Sequence, residues 1–163
     1  METFLEWIKW HSEALTWFAT IIGALLGGLA ALYQWVKQRQ IRRTEFVYQI
    51  MQDLRHKKDI VKIRYMIEYD RLSYPFHEDN KLEPKVDMYL SILNYVCYLR
   101  NVHAISPKEF DIFRYTIVWT LKDKAIQEYL RFLYRWSKSH GVPCSFHYLV
   151  GYGTDKKNSI FTL

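Results

Sequence analysis

The longest apolar stretch of the chain lies near its amino terminus. Residues 14–36 contain no charged side chain, and as an α-helix they would extend about 34 Å, enough for a hydrocarbon core of about 30 Å. A signal peptide carries its positive charges before the apolar run, whereas here they begin after it, at Lys37. The pattern therefore predicts one transmembrane helix over residues 14–36, rather than a signal peptide or a buried core helix.

The flanks of this stretch differ in charge, and the difference predicts an orientation. Residues 1–13 hold three glutamates and one lysine, while Lys/Arg-rich flanks remain on the cytoplasmic side of a membrane. We expect residues 1–13 to lie outside and the rest of the chain, from residue 37 on, in the cytoplasm. Aromatic and basic side chains near the two ends are the expected anchors at the membrane interfaces: Trp17, Tyr33, Trp35, Lys37, Arg39, Arg42 and Arg43.

Small residues recur every fourth position within the predicted span, at Ala19, Gly23, Gly27 and Ala31. A stripe of this kind lets two helix backbones approach closely, as in GxxxG pairs. Glycine and alanine are also common in membrane helices in general. The stripe favours self-association and so a homo-oligomer.

Helical periodicity continues beyond the span into a predicted cytoplasmic domain over residues 37–143. An apolar stripe around residues 46–54 indicates a juxtamembrane helix, which the charged stretch 55–59 is expected to bend or split. Residues 73–84 read as a loop, and residues 85–103, apolar nearly all round, as the central buried helix.

Two more helices are predicted after the central one. Ser106-Pro107-Lys108-Glu109 is a capping-box start for a helix to about residue 119. Another helix is expected over residues 123–139, ended by Gly141. We expect an irregular tail over residues 144–163. The predicted fold is mainly α: one transmembrane helix continuing into a helical bundle.

The formal charge of +6 is unevenly distributed. Residues 37–163 hold 22 basic and 14 acidic side chains, a difference of +8, which favours an anionic partner. The candidate anion-binding residues form two groups, each also readable as an ordinary solvated helix face: Arg55, Lys57, Lys58, Lys62 and Tyr65 in one, Arg131 and Arg135 in the other.

Sequence patterns for catalysis, metals and cofactors are missing. The six histidines fall in no metal-binding spacing, and Gly151-Tyr152-Gly153 lacks the third glycine of a dinucleotide site. Cys97 and Cys144 are expected to be reduced thiols. We expect a protein that is not an enzyme and has no cofactor or metal.

Residues 92–96 and 105–110, with Tyr134-Arg135-Trp136, resemble the consensus of small membrane proteins encoded in bacterial anti-phage operons. The chain is most similar to the HalA-like membrane effectors of Hailong-type antiviral defence. The resemblance implies a pore in the bacterial inner membrane that depolarises the cell. It also implies gating by a nucleotide or single-stranded oligodeoxynucleotide that a partner nucleotidyltransferase makes. It assigns no functional residue.

The sequence is compatible with two functions. The first is an oligomeric membrane effector, an ion channel or pore gated by a nucleotide or single-stranded DNA on the basic domain. The second is a membrane-anchored helical adaptor that recruits a partner protein.

Overall fold

The computed structural model describes residues 2–76, 81–155 and 158–162, and for residues 2–15 and 19 it describes the backbone alone. The regular structure within these ranges is entirely α-helical, which confirms the predicted mainly α fold. The helices are α1 (Glu2–His56), α2 (Lys58–Glu68), α3 (Glu83–Asn101), α4 (Pro107–Lys122), α5 (Lys124–His140) and α6 (His147–Thr154).

The chain divides into two units, residues 1–45 and residues 46–163. The first unit consists of α1 up to Glu45, and the second contains the end of α1 together with α2–α6. No proline interrupts α1. It ends where Lys57 adopts an extended conformation, with φ −69° and ψ 112°. The prediction that residues 55–59 bend or split the helix is confirmed.

The core of the second unit is built around α3, which packs against α2, α4 and α6. Its buried side chains occupy almost every turn: Val86, Tyr89, Leu90, Leu93, Val96, Cys97 and Leu99. The central helix was therefore predicted correctly. It begins at Glu83 because Pro84 is compatible with the first helical turn. The predicted loop accordingly ends at Leu82, and its residues 77–80 lie outside the described ranges.

The predicted capping box at the start of α4 is confirmed. Glu109 donates its backbone N–H to the Ser106 hydroxyl at 3.3 Å, and the Ser106 backbone N–H donates to the Glu109 carboxylate at 2.6 Å. α4 continues to Lys122, and the Asp123 side chain then caps α5 by accepting the Ile126 N–H at 2.9 Å. Gly141, at φ 66°, ends α5 in the left-handed conformation that glycine adopts without strain.

The prediction of an irregular tail over residues 144–163 was wrong for His147–Thr154, which form α6. The start of α6 is capped from outside the tail, because the Asn94 side-chain oxygen on α3 accepts the N–H groups of Tyr148 and Leu149, both at 3.0 Å. The chain then folds back, with Phe161 buried against Gly153. Tertiary packing makes this segment helical despite its two glycines.

A buried phenol lies between two carboxylates where α5 faces the start of α3. The Tyr129 hydroxyl is 2.7 Å from the Asp87 carboxylate and 3.0 Å from the Glu83 carboxylate. Burial raises the pKa of Asp87; the Tyr129 hydrogen bond lowers it and the Glu83 charge raises it further. Burial also raises the pKa of Tyr129, so the phenol stays protonated and donates to these carboxylates.

Candidate functional site

The apolar part of α1 exposes its side chains instead of burying them. Every large apolar or aromatic side chain between residues 16 and 36 keeps 50–70% of its surface exposed. A soluble monomer rarely exposes a continuous apolar surface of this length. Among the described residues, α1 is the one helix that is long and apolar enough, by length and composition, to cross a membrane.

Part of the small-residue stripe forms an open surface on this helix. A Cβ atom built on Gly23 or Gly27 meets no other atom within 4 Å, and Ala31 is exposed. The side chain of Ala19 lies outside the described part of the structure. The backbone at both glycines is therefore accessible to a second helix.

The predicted interface anchors lie at both ends of the apolar stretch. Trp17, Tyr33 and Trp35 are exposed, as are Lys37, Arg39 and Arg42, whereas Arg43 is half-buried. The Arg39 guanidinium lies 5.4 Å from the centre of the Trp35 ring. This pairing of an aromatic ring with a cation is typical of side chains at a membrane interface.

The first predicted basic group is divided between two helices. Lys58, Lys62 and Tyr65 lie on one exposed face of α2, at spacings of four and three residues; we call these three residues the α2 surface. Within the described ranges, neither lysine forms an ion pair. Arg55 is exposed at the end of α1, and Lys57 pairs with Asp53 at 2.7 Å.

The acidic neighbours of the α2 surface are engaged elsewhere. Asp53 is the partner of Lys57, and Asp59 pairs with Lys85 of α3 at 2.6 Å. Tyr65 stacks on Tyr69 with 6.0 Å between ring centres, and 46% of its surface stays exposed. The α2 surface therefore presents two cations beside an exposed ring.

The second predicted basic group separates into two different environments. Arg131 binds the carboxyl-terminal segment, because its Nε donates to the Thr162 carbonyl at 2.8 Å. An Nη of Arg131 also donates to the Gln127 side chain on the same helix at 3.3 Å. Arg135 is exposed and lines a cleft of about 390 Å³ together with Trp136. Arg131 thus has a structural partner, and only Arg135 faces an open cleft.

A polar pocket between α3 and α6 was missed by the sequence analysis. It has a volume of about 630 Å³ and lies where the end of α3 packs against α6. Its lining includes Arg100, His103, His147, Tyr148, Tyr152 and Asn158. The basic and aromatic residues are visible in the sequence, but the irregular tail predicted for residues 144–163 does not bring them together.

An apolar cleft lies between the end of α1 and α3. It has a volume of about 400 Å³, and Phe46, Ile50, Met88, Ile92 and Tyr95 are among its lining residues. Phe46 and Tyr95 meet edge to face, with ring centres 5.9 Å apart. A cleft of this type can accept an apolar side chain of another protein.

Comparisons of the chain with protein-family models, curated proteins and solved structures find no match.

Proposed function

We propose that the chain is a single-span protein of a bacterial inner membrane, with residues 14–36 in the bilayer and the second unit, residues 46–163, in the cytoplasm. The observation that carries this proposal is the exposed apolar surface of α1 between residues 16 and 36. The orientation is supported by Lys37, Arg39 and Arg42, which follow the span and are exposed.

The protein acts, in this proposal, as a non-enzymatic oligomeric effector of anti-phage defence that forms a membrane pore. A single helix cannot enclose a water path, so several copies must associate. The open backbone at Gly23 and Gly27 supports association through this helix face. The resemblance to HalA-like effectors supports the same function, with depolarisation of the cell as its result.

The gating ligand is a nucleotide or single-stranded oligonucleotide made by a partner nucleotidyltransferase. The α2 surface supports this class of ligand, because Lys58 and Lys62 can contact phosphates while Tyr65 stacks on a base. Each neutralised phosphate on a single strand contributes a slope of about −0.7 in log affinity against log salt.

Ion flux through liposomes that contain the full-length protein tests the proposal. We expect ion flux that changes when AMP or a short single-stranded oligodeoxynucleotide is added on the side of the membrane that carries the second unit. Replacing Lys58 and Lys62 together by alanine should weaken binding of the oligodeoxynucleotide and reduce its salt slope. The matched control replaces Lys108 and Lys124, two exposed lysines on α4 and α5, and should change neither.

Two results would refute different parts of this proposal. Absence of flux under all these conditions would exclude the pore. Equal losses of affinity in the Lys58/Lys62 and Lys108/Lys124 variants would show that the attraction is general and not located on the α2 surface.

A membrane-anchored adaptor is the second candidate function, and the apolar cleft favours it. A protein partner seated beside Met88 and Ile92 would be held mainly by apolar contacts, so its binding would depend little on salt. Met88→Lys, at a partly exposed position, should abolish that binding and leave nucleotide binding unchanged. The gated pore predicts the opposite pattern, with steep salt dependence and no effect of Met88→Lys.

A further inference from the structure

We propose that the pocket between α3 and α6 binds a phosphomonoester group carried by a nucleotide. This site is separate from the α2 surface and from both predicted basic groups. The inference rests on the proposed function and gives its ligand a second contact, in an open pocket. Binding can be measured without ion flux, so the two proposals can fail independently.

The size of the pocket suits a small ligand. Its volume of about 630 Å³ falls within the range of about 300–1,000 Å³ typical of ligand sites. Gly151 lies in the lining, and a Cβ atom built there meets nothing within 4 Å. A larger side chain can therefore be introduced at Gly151, in the lining of the pocket, without a clash at its Cβ atom.

Arg100 is the fixed cation of the pocket. Its guanidinium lies 4.3 Å from the centre of the Phe110 ring and 5.4 Å from that of Tyr152. Across the described ranges, Arg100 forms no ion pair with a carboxylate. A guanidinium held against aromatic rings loses little conformational freedom on binding, and its planar fork matches a phosphate.

Two histidines bring further donors to the same pocket. His103 has φ 56°, a left-handed conformation that is strained for most residues other than glycine. It follows the end of α3, and its N–H donates to the Arg100 carbonyl at 3.1 Å. A position that would suit glycine is thus occupied by a side chain able to donate a hydrogen bond to an anion. His147 lines the pocket from the start of α6.

The remaining lining residues include an unreactive thiol and two aromatic rings. Burial raises the pKa of Cys97 to about 12, against the opposing charge of Arg100, so the thiol is protonated and poorly nucleophilic. Tyr148 and Tyr152 offer ring surface for a base or sugar. Asp155 also lies in the lining of the pocket.

Binding to the full-length protein in detergent micelles tests the inference, with four probes measured by calorimetry. The probes are inorganic phosphate, AMP, and one tetradeoxynucleotide with and without a 5′-phosphate. We expect AMP and the phosphorylated strand to bind about tenfold more tightly than the strand without the phosphate, because the charged hydrogen bonds are lost. Inorganic phosphate binding as tightly as AMP would overturn the nucleotide part of the inference.

Three substitutions and one control, Gly151→Ala, locate the binding. Gly151→Leu adds a large side chain to the lining of the pocket and should lower the affinity for AMP about tenfold or more. Gly151→Ala adds one methyl group in open space and should leave the affinity within about twofold. His103→Gly should relax the backbone and still lower the affinity for AMP. Arg100→Gln should lower it about tenfold or more.

The outcomes separate this inference from the proposed function. If Gly151→Leu and Arg100→Gln bind AMP as tightly as the unmodified protein, the pocket is not the site, even if Lys58 and Lys62 prove essential. If both substitutions lower the affinity for AMP about tenfold or more while the liposomes carry no flux, the pocket is the binding site and the pore is excluded. Far-UV circular dichroism verifies that each variant is folded. If Gly151→Leu or Arg100→Gln is unfolded, the affinity of His103→Gly for AMP tests the inference instead.

Discussion

Replacing Asn94 by leucine should release α6 from the rest of the second unit. Leucine matches asparagine in the number and branching of its side-chain heavy atoms but has no acceptor, so the N–H groups of Tyr148 and Leu149 both lose their partner at 3.0 Å. α6 has only eight residues, and two of them are glycines, each about 1 kcal/mol less favourable in a helix than alanine. Intrinsic propensity therefore cannot replace the missing cap.

The magnitude follows from the two hydrogen bonds. A buried donor that loses its partner costs about 1–3 kcal/mol. Leu149 is fully buried, whereas Tyr148 is half-buried and can regain part of its bond from water. The expected destabilisation of α6 is therefore about 2–4 kcal/mol, which corresponds to amide hydrogen exchange faster by about thirtyfold to several hundredfold.

Hydrogen exchange with mass spectrometry on the full-length protein measures this effect in peptides that cover residues 147–154. The matched control is Asn94→Asp, which keeps an acceptor oxygen and adds a negative charge favourable at a helix amino terminus; its rates should stay within about threefold of those of the unmodified protein. Equal exchange in Asn94→Leu and the unmodified protein would refute the argument that Asn94 holds α6.

Three further predictions concern other parts of the chain. Gly153→Ala places a Cβ atom in a clash with the Phe161 ring, so chemical denaturation should show a loss of about 1–3 kcal/mol in the free energy of unfolding. Unchanged stability would contradict the close packing of Phe161 against this glycine. The raised pKa of Asp87 means that the folded state binds its proton more tightly than the unfolded state. The contribution of Asp87 to the free energy of unfolding is therefore present at low pH and is lost as the pH rises through its raised pKa. Thermal melts of Asp87→Asn at several pH values should lack that decline. Gly23→Ile or Gly27→Ile should weaken the oligomer measured by light scattering in detergent, and an unchanged mass for both would exclude this helix face as the interface.

Local sequence signals were enough to predict most helix boundaries. The cap of α4 needs only Ser106 and Glu109, three residues apart, and the end of α5 needs only Gly141. The apolar stretch of residues 14–36 is equally local, since length and absence of charge define it. These features depend on contacts within one or two turns of the chain, so the sequence shows them directly.

The features that the sequence did not reveal depend on contacts between distant residues. α6 is capped by Asn94, 54 positions before Tyr148, and the pocket exists only because α6 packs against α3. The same limit applies to Arg131, whose partner is the Thr162 carbonyl, 31 positions away. A helical wheel places Arg131 and Arg135 on one face, but it cannot show that one of them is already engaged.

The topology of the chain is the central claim, and cysteine labelling in intact cells tests it most directly. Thr3→Cys should react with a membrane-impermeant maleimide added outside, whereas Lys122→Cys, exposed on α4, should react only after the membrane is permeabilised. Native Cys97 is buried and Cys144 half-buried, and both follow the span, so they should add no signal in intact cells. Labelling of Lys122→Cys but not Thr3→Cys in intact cells would contradict the orientation, and recovery of the protein in the soluble fraction would contradict membrane insertion itself.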